Sequence, residues 1–203
     1  MDYDKVEIET EEGVYAPSED SELAAEMISY CLSEAGGKGL NVLDLGTATG
    51  ILGIFAATNE KVGRVTLADI NPKAVRLAES NARKNIESIR AELAFVETDL
   101  FSNIQDWKYD LIIFNAPYLR SEGDRRVDDR RWSGGEEGVE LSIGFLEGAV
   151  PRLNKDGRIV MVLSSLSNTG MLRREMERLG LNTVKELKRH YFFEDILVWL
   201  LEV

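Results

Sequence analysis

Short apolar runs alternate with helical segments along most of this 203-residue chain, but the last two runs have no helix between them. Strands that are joined through a helix pair in parallel by right-handed crossovers, whereas a short turn gives an antiparallel pair. The first five runs, at 42–45, 65–68, 93–96, 111–114 and 159–163, therefore predict five βα units in a doubly wound, mainly parallel sheet. The last two, at 183–189 and 196–203, predict a C-terminal antiparallel hairpin and seven strands altogether.

The segments between these runs carry helix start and stop signals. Ser18 can cap a helix whose apolar stripe runs from Leu23 to Leu32 and which ends at the glycine pair 36–37. Asn71 before Pro72 favours another helix start, because proline suits the first helical turn. The predicted helices cover residues 18–35, 51–57, 72–85, 139–153 and 171–179.

Composition excludes several classes of protein. Acidic residues outnumber basic residues 36 to 24, and the first 22 residues hold nine acids and one lysine. This balance argues against a protein that grips phosphate backbones. The single cysteine excludes an internal disulfide framework, and one cysteine with one histidine argues against a zinc site made of protein ligands alone.

The length favours a single domain over residues 1–203, with an acidic lead-in over residues 1–13 that has freedom to move. The lead-in lacks the apolar core of a signal peptide. No stretch of the sequence is long and apolar enough to cross a bilayer. We therefore expect a cytoplasmic protein that does not bind membranes.

Three aspartates lie where three predicted strands end. Asp44 precedes Gly46 in the first strand-to-helix turn, Asp69 ends the second strand and Asp99 follows the third. Because the carboxyl ends of parallel strands line one cleft, we expect these carboxylates to surround one ligand. The glycine spacing of 46, 50 and 53 matches neither the dinucleotide fingerprint nor a phosphate loop. The acid Asp44, just before that turn, favours a cationic or hydroxyl-bearing ligand over a phosphate, and a carboxylate at the position of Asp69 is typical of one that holds the ribose hydroxyl groups of an adenosine.

These residues resemble the signature of class I S-adenosylmethionine-dependent methyltransferases, which are Rossmann-like α/β proteins. The likeness lies in Val-Leu-Asp-Leu-Gly-Thr-x-Thr-Gly at 42–50, Asp-Ile-Asn-Pro at 69–72 and Thr-Asp-Leu at 98–100, together with the terminal hairpin. The resemblance implies S-adenosylmethionine as the cofactor. Ala48 stands where this family often has glycine, and its methyl group is tolerable provided that its φ stays negative.

A candidate catalytic motif, Asn115-Ala116-Pro117-Tyr118, follows the fourth strand. It resembles the Asn-Pro-Pro-Tyr motif of methyltransferases that modify planar amino groups, such as the glutamine amide or the exocyclic amine of adenine. The lone pair of such a nitrogen is delocalised, so catalysis depends on orientation and electrostatics. The Asn115 side-chain oxygen and a neighbouring backbone carbonyl can accept its two N–H groups. Pro117 restricts Ala116 to an extended conformation, and Tyr118 can form an aromatic wall.

Two further segments, Val14–Ser21 and Trp132–Gly138, resemble the HemK-like glutamine methyltransferases of the archaeal and eukaryotic release-factor branch. This resemblance implies methylation of the glutamine in the Gly-Gly-Gln motif of a class I translation release factor. It also implies a small zinc-binding activator protein that adds a strand to the sheet edge, where we expect the third strand at 91–96. The residues that the resemblance assigns to the cofactor or the target are Ser21, Asp44, Gly46, Thr47, Gly50, Asp69, Asp99, Leu100 and Asn115.

Other functions stay open on the same scaffold. One is protein-lysine methylation, and another is adenine-N6 methylation of nucleic acid. Adenine would need base flipping and a basic groove, which a net charge of −12 disfavours. The arginines of the stretch Arg120–Arg131 are interleaved with acids, so we expect no direct nucleic-acid binding there. A cofactor-binding module without catalysis is disfavoured by the intact Asn115 and Pro117-Tyr118.

Overall fold

The structure is a computed structural model that describes residues 3–105, 107–115, 139–191 and 194–203. Its strands are β1 (Leu40–Leu45), β2 (Val62–Asp69), β3 (Glu92–Glu97), β4 (Tyr109–Asn115), β5 (Leu153–Ser164), β6 (Asn182–Tyr191) and β7 (Glu194–Glu202). Its α-helices are α1 (Glu19–Glu34), α2 (Ile51–Ala57), α3 (Pro72–Lys84), α4 (Glu140–Ala149) and α5 (Thr169–Leu179). Among the helices of the described ranges, none has both the length and the apolar character that a membrane span requires.

The described strands form one sheet in the order β3-β2-β1-β4-β5-β7-β6. The first five strands pair in parallel, and β7 pairs antiparallel with both β5 and β6. The predicted doubly wound sheet and C-terminal hairpin are therefore confirmed. The chain reverses its direction of winding between β1 and β4, so the cleft that such a sheet offers to a ligand lies at their carboxyl ends. The expected edge position of the third strand is also confirmed.

Alternation along the central strands divides the core between the two faces of the sheet. Val42, Leu111 and Ile113 pack in the cluster under α1, α2 and α3, while Leu43 and Ile112 pack in the cluster under α4 and α5. Both faces of β1 and β4 are therefore buried, as runs of large apolar residues predict for a parallel sheet.

The connections between β3 and β5 differ from the sequence prediction in three ways. Residues 98–105, between β3 and β4, are turns rather than a helix, so that βα unit is wrong. The predicted helix 139–153 ends at Ala149, because Pro151 lies in a short 3₁₀ turn, Val150–Arg152, and the next residue already pairs with β4. The strand predicted at 159–163 begins earlier, because residues 154–157 already belong to β5, where Asp156 adopts a φ of +64° and the pairing with β4 changes register.

Capping residues set the ends of α3 and α5. The Asn71 side chain accepts a hydrogen bond from the backbone nitrogen of Lys73 at 3.0 Å, and Pro72 is the first helical residue, as predicted. Asn168 plays the same part for α5, which begins at Thr169, two residues earlier than predicted. Gly180 ends α5 with a φ of +74°, a conformation that glycine adopts at little cost.

Three asparagine side chains hold the acidic lead-in along α3. Asn85 pairs with both backbone groups of Glu7, accepting from its nitrogen at 2.9 Å and donating to its carbonyl at 2.8 Å. Asn81, one helical turn earlier, pairs with Glu9 in the same way at 2.9 and 3.0 Å. Asn71 donates to the carbonyl of Gly13 at 3.0 Å, and the adjacent Val14 is buried against α3. These hydrogen bonds lead the described part of the lead-in along α3 to the carboxyl edge of the sheet.

Candidate functional site

The turn between β1 and α2 is built around a buried carboxylate. Asp44 is 1% exposed, and its Oδ2 accepts hydrogen bonds from the Thr47 hydroxyl at 2.6 Å and from the backbone nitrogen of Gly53 at 2.9 Å. A Cβ at Gly53 would lie 2.9 Å from that same oxygen and from Leu67, so this position needs glycine. Asp44 therefore links the glycine turn to the start of α2 through hydrogen bonds to Thr47 and Gly53. Its predicted contact with a cofactor stays a prediction.

Burial perturbs the ionisation of this aspartate. Loss of solvation raises the pKa of Asp44 from 3.8 to about 6, although the hydrogen bonds from Thr47 and from the Gly53 nitrogen lower it, and the nearby charge of Asp69 raises it further. Asp44 thus titrates far closer to neutrality than an ordinary aspartate.

The end of β2 presents a second carboxylate at the mouth of the cleft. Asp69 is half-buried, its Oδ2 accepts from the backbone nitrogen of Ala48 at 2.9 Å and its Oδ1 accepts from that of Asn71 at 2.8 Å. A carboxylate has room for about four donors, so hydroxyl groups of a ribose are suitable ligands for one held in this way. Asp69 couples the glycine turn to the start of α3.

The glycine turn contains one strained residue that the sequence did not predict. Ala48 has a φ of +50°, in contrast to the negative value that its methyl group was expected to require. The left-handed conformation allows the Ala48 nitrogen to point at Asp69. Gly46 and Gly50 adopt φ values of +72° and +87°, for which glycine is suited, whereas Ala48 bears a steric cost there.

The third strand end lies beside the second. The backbone nitrogen of Thr98 donates to the carbonyl of Asp69 at 2.9 Å, which places Asp99 and Leu100 next to β2. Asp99 is exposed, while Leu100 is half-buried with a φ of +47° and lies near Gly144 of α4. These two predicted cofactor residues line the same edge of the sheet as Asp69, and their contact with a cofactor stays a prediction.

Asn115 ends β4 and directly follows Phe114, which packs on α4. Phe114 stacks on Phe145 of α4 with ring centroids 4.1 Å apart and an interplanar angle of 13°. A Cβ at Gly46 would lie 3.7 Å from the Phe114 ring and 4.0 Å from the Asn115 carbonyl, so the first turn and the fourth strand end adjoin. Within the described residues, the buried Oδ1 of Asn115 has no hydrogen-bond partner.

The amino end of α1 completes the site, with a residue that sequence reasoning missed. Asp20 is 2% exposed, and its Oδ2 accepts from the Asn115 amide nitrogen at 3.1 Å and from the Tyr15 hydroxyl at 2.9 Å. Its Oδ1 accepts from the backbone nitrogen of Ser21 at 2.6 Å and from the Ser21 hydroxyl at 3.1 Å. Ser21 is thereby held beside Asn115. Asp20 belongs to the segment Val14–Ser21, but no local pattern in that segment predicts its contact with Asn115, which is 95 residues away in the sequence.

Some predicted features lie outside the described residues. They are Ala116, Pro117 and Tyr118 of the candidate catalytic motif, the arginine-containing stretch Arg120–Arg131 and the segment Trp132–Gly138.

The site residues fit the cofactor that the fold implies. The carboxyl ends of β1, β2 and β4 bring together the carboxylate of Asp69, which is able to accept from ribose hydroxyl groups, a turn with positive φ values and a buried acceptor, Asn115 Oδ1, that lacks a partner within the described residues. A buried polar atom of this kind carries an energetic cost unless a ligand satisfies it.

Comparisons with known proteins agree with this arrangement. A Methanocaldococcus jannaschii protein, whose name gives it provisionally as a protein N5-glutamine methyltransferase, is 31% identical over 188 residues, or 91% of this chain and 89% of that protein. The release factor glutamine methyltransferase of Fusobacterium nucleatum is 37% identical over 113 residues, or 55% of this chain and only 30% of the relative. The tRNA1(Val) (adenine(37)-N6)-methyltransferase of Haemophilus influenzae is 28% identical over 124 residues, or 61% and 53% of the two chains.

A solved structure and a family profile extend these likenesses to the whole fold. The Mtq2–Trm112 complex of E. cuniculi, described as responsible for methylation of the eRF1 translation termination factor, matches with a TM-score of 0.64 and 24% identity over 93% of this chain and 98% of that one. The profile of the methyltransferase small domain matches residues 5–192. The chain therefore belongs to the methyltransferase small domain family, and it is a methyltransferase.

Proposed function

We propose that this chain is a single-domain, S-adenosylmethionine-dependent enzyme that methylates the side-chain amide of the glutamine in the Gly-Gly-Gln motif of a class I translation release factor. Bound S-adenosylmethionine would supply an electrophilic methyl group on its sulfonium. Asp69 would hold the ribose, and the turn from Gly46 to Gly50 would approach the rest of the cofactor closely.

The observation that carries the proposal is the buried Oδ1 of Asn115, an acceptor without a partner among the described residues. The matching group on a target is an N–H donor, which a planar amide nitrogen offers. A hydrogen bond to Oδ1 would turn that nitrogen toward the methyl group, so the gain in rate would come from orientation. The names of the archaeal and bacterial relatives support glutamine as the target.

Adenine-N6 methylation is the second candidate, because the amine of adenine also presents planar N–H donors and one relative is named for that activity. An adenine must be drawn from its stack while the protein holds the phosphates beside it. The excess of 36 acids over 24 bases, with nine acids in the first 22 residues, disfavours that grip. A glutamine that follows two glycines needs neither base extrusion nor phosphate binding, and the glycines add no side-chain bulk at the mouth of the cleft. Protein-lysine methylation remains a further alternative on this scaffold.

We also propose a small activator protein, of the zinc-binding type, that docks on the edge strand β3. Glu92–Glu97 pairs only with β2 in the described sheet, and an unpaired strand edge is a ready docking surface. The likeness to one half of the Mtq2–Trm112 complex supports a partner of this kind. Co-expression with such an activator should raise solubility and activity, because a ligand of the native state stabilises it. Full activity and solubility of the chain alone would contradict an obligate partner.

The test is methyl transfer from labelled S-adenosylmethionine to a release factor, to transfer RNA and to single-stranded DNA at moderate salt. We expect labelling of the release factor, little labelling of either nucleic acid, and turnover reduced by several orders of magnitude in Asn115→Ala, with a modest change in cofactor affinity. Comparable labelling of a nucleic acid would overturn the substrate, and near-normal turnover of Asn115→Ala would overturn the catalytic role.

A further inference from the structure

Asn115 and Asp20 are 95 residues apart in the sequence and form a direct hydrogen bond between β4 and the first turn of α1. The donor is the Asn115 amide nitrogen, and the acceptor is Oδ2 of Asp20 at 3.1 Å. A carboxylate only accepts hydrogen bonds, whereas a primary amide has one donating end and one accepting end. The chemistry of Asp20 therefore decides which end of the Asn115 amide faces it, and the oxygen must face the other way.

Asp20 is itself held in place, so it can impose that orientation. It is almost fully buried, and donors from Tyr15, Ser18 and Ser21 surround both of its oxygens at 2.6–3.1 Å. The backbone donor is the nitrogen of Ser21, in the first turn of α1, where a negative charge is favoured by the helix dipole. Movement of the carboxylate would break several of these bonds at once.

This orientation of the amide leaves Oδ1 of Asn115 facing away from Asp20. That atom is buried, and the described part of the chain provides no donor for it. We propose that Asp20 is a positioning residue, which fixes the Asn115 side chain with its oxygen as the acceptor for the N–H of the target amide. This inference rests on the proposed function for the identity of the target, but the orientation of the amide is a property of the protein alone.

The most informative variant is Asp20→Asn. The new amide can still accept from the Ser21 nitrogen, but its nitrogen then faces Asn115 and favours reversal of the Asn115 amide. The target would meet a donor where it needs an acceptor. We expect kcat to fall on the order of a hundredfold, a typical effect of losing one oriented polar group at a reacting centre, with KM and cofactor affinity changed less than about threefold.

A second substitution separates positioning from a structural role. In the double variant Asp20→Asn with Asn115→Asp, the new carboxylate at position 115 can accept from the amide at position 20 and still present an oxygen to the target. We expect kcat to recover at least about tenfold from Asp20→Asn. Asn115→Asp alone places two carboxylates in contact and should be inactive. A double variant no more active than Asp20→Asn would contradict the proposal.

Glu22→Gln is the matched control. It makes the same change from carboxylate to amide in the first turn of α1, but at an exposed side chain that pairs with Arg189 at 3.5 Å. We expect its kcat to stay within about threefold of wild type, and thermal unfolding of every variant establishes that it folds. A hundredfold loss in Glu22→Gln would mean that any loss of charge in this turn lowers activity, which contradicts a specific role for the Asp20–Asn115 bond.

A spectroscopic measurement decides the matter without any substrate. In ¹⁵N-labelled protein, the Asn115 side-chain amide signal is assigned by its absence from Asn115→Asp. We expect one of its protons to exchange slowly and to shift in Asp20→Asn but not in Glu22→Gln. An unchanged signal in Asp20→Asn overturns the proposal. If wild type fails to methylate a release factor while the amide signal behaves as expected, the proposed substrate is wrong and the positioning role of Asp20 stands.

Discussion

The backbone nitrogen of Ala48 donates to Oδ2 of Asp69 at 2.9 Å, and it does so from a left-handed conformation with a φ of +50°. The steric cost of that conformation falls where the glycine turn meets Asp69, the carboxylate proposed to hold the ribose. Strain that is stored beside a functional group persists because the surrounding structure over-determines it. Here the hydrogen bond to Asp69 and the packing of Ala48 beside Val14 and Leu77 hold it.

Ala48→Gly should therefore raise the free energy of unfolding by about 1 kcal/mol, because glycine adopts a positive φ without the clash of a Cβ. Chemical denaturation measures the change. The matched control is Ala35→Gly, since Ala35 has an ordinary φ of −65° and glycine there only adds disorder to the unfolded chain. A loss of stability in both variants would contradict the strain at Ala48.

Asp69→Ala should weaken S-adenosylmethionine binding on the order of 2–4 kcal/mol, a typical range for two charge-assisted hydrogen bonds. Calorimetry on folded protein measures the affinity. Glu97→Gln is the control, because Glu97 is the exposed register neighbour of Asp69 on β3 and its loss removes an adjacent charge only. An unchanged affinity in a folded Asp69→Ala variant would remove Asp69 from the cofactor site.

Asp44 predicts an unusual dependence of stability on pH. Its pKa is raised to about 6 in the folded protein, so the native state holds this proton more tightly than the unfolded chain does. The resulting stabilisation is complete below pH 3.8 and is lost as pH rises through about 6. Relative to Asp44→Asn, wild type should lose about 3 kcal/mol over this interval, at 1.36 kcal/mol per pKa unit.

Parallel stability curves for wild type and Asp44→Asn would contradict this raised pKa. Thr47→Val sharpens the test, since the Thr47 hydroxyl donates to Asp44 at 2.6 Å and lowers its pKa. Without that hydroxyl, the pH at which the stabilisation is lost should move upward.

Asn81 links the lead-in to the glycine turn, because its amide nitrogen donates both to the Glu9 carbonyl at 3.0 Å and to the Thr49 carbonyl at 2.9 Å. The side chain is fully buried. Asn81→Ala should cost about 2–4 kcal/mol of stability, since it removes the partner of the buried Thr49 carbonyl and of both backbone groups of Glu9, and it should also lower cofactor affinity. The exposed Asn182 offers the comparison: Asn182→Ala should stay within about 0.5 kcal/mol of wild type. Equal effects at the two positions would contradict the link.

Local signals in the sequence predict much of this structure. The bounds of α2 and the start of α3 at Pro72 agree with prediction, because glycine, proline and asparagine restrict the backbone at those positions. The hairpin of β6 and β7 follows from the missing helix between them. The predicted helix 139–153 extends four residues beyond the observed end of α4 at Ala149. Pairing of Leu153 with Tyr109 there overrides the local preference for helix.

Some features of the candidate site also follow from the sequence, and others depend on the tertiary structure. Asp44, Asp69 and Asn115 could be predicted from the sequence because Asp69 and Asn115 end buried strands, Asp44 lies one residue before the end of another, and parallel topology brings strand ends together. The positive φ of Ala48 and the contact between Asp20 and Asn115 could not, since each depends on where distant parts of the chain come to lie. The asparagines that hold the lead-in also act on backbone groups more than 50 residues away.

The central claim, that this methyltransferase acts on the glutamine of a Gly-Gly-Gln motif, is tested most directly by tandem mass spectrometry of a release factor after incubation with the enzyme and S-adenosylmethionine. The account predicts one added methyl group on the side-chain nitrogen of that glutamine, and no methylation of a release factor in which the glutamine is replaced. A methyl group on a lysine, or continued methylation of the factor that lacks the glutamine, would contradict it.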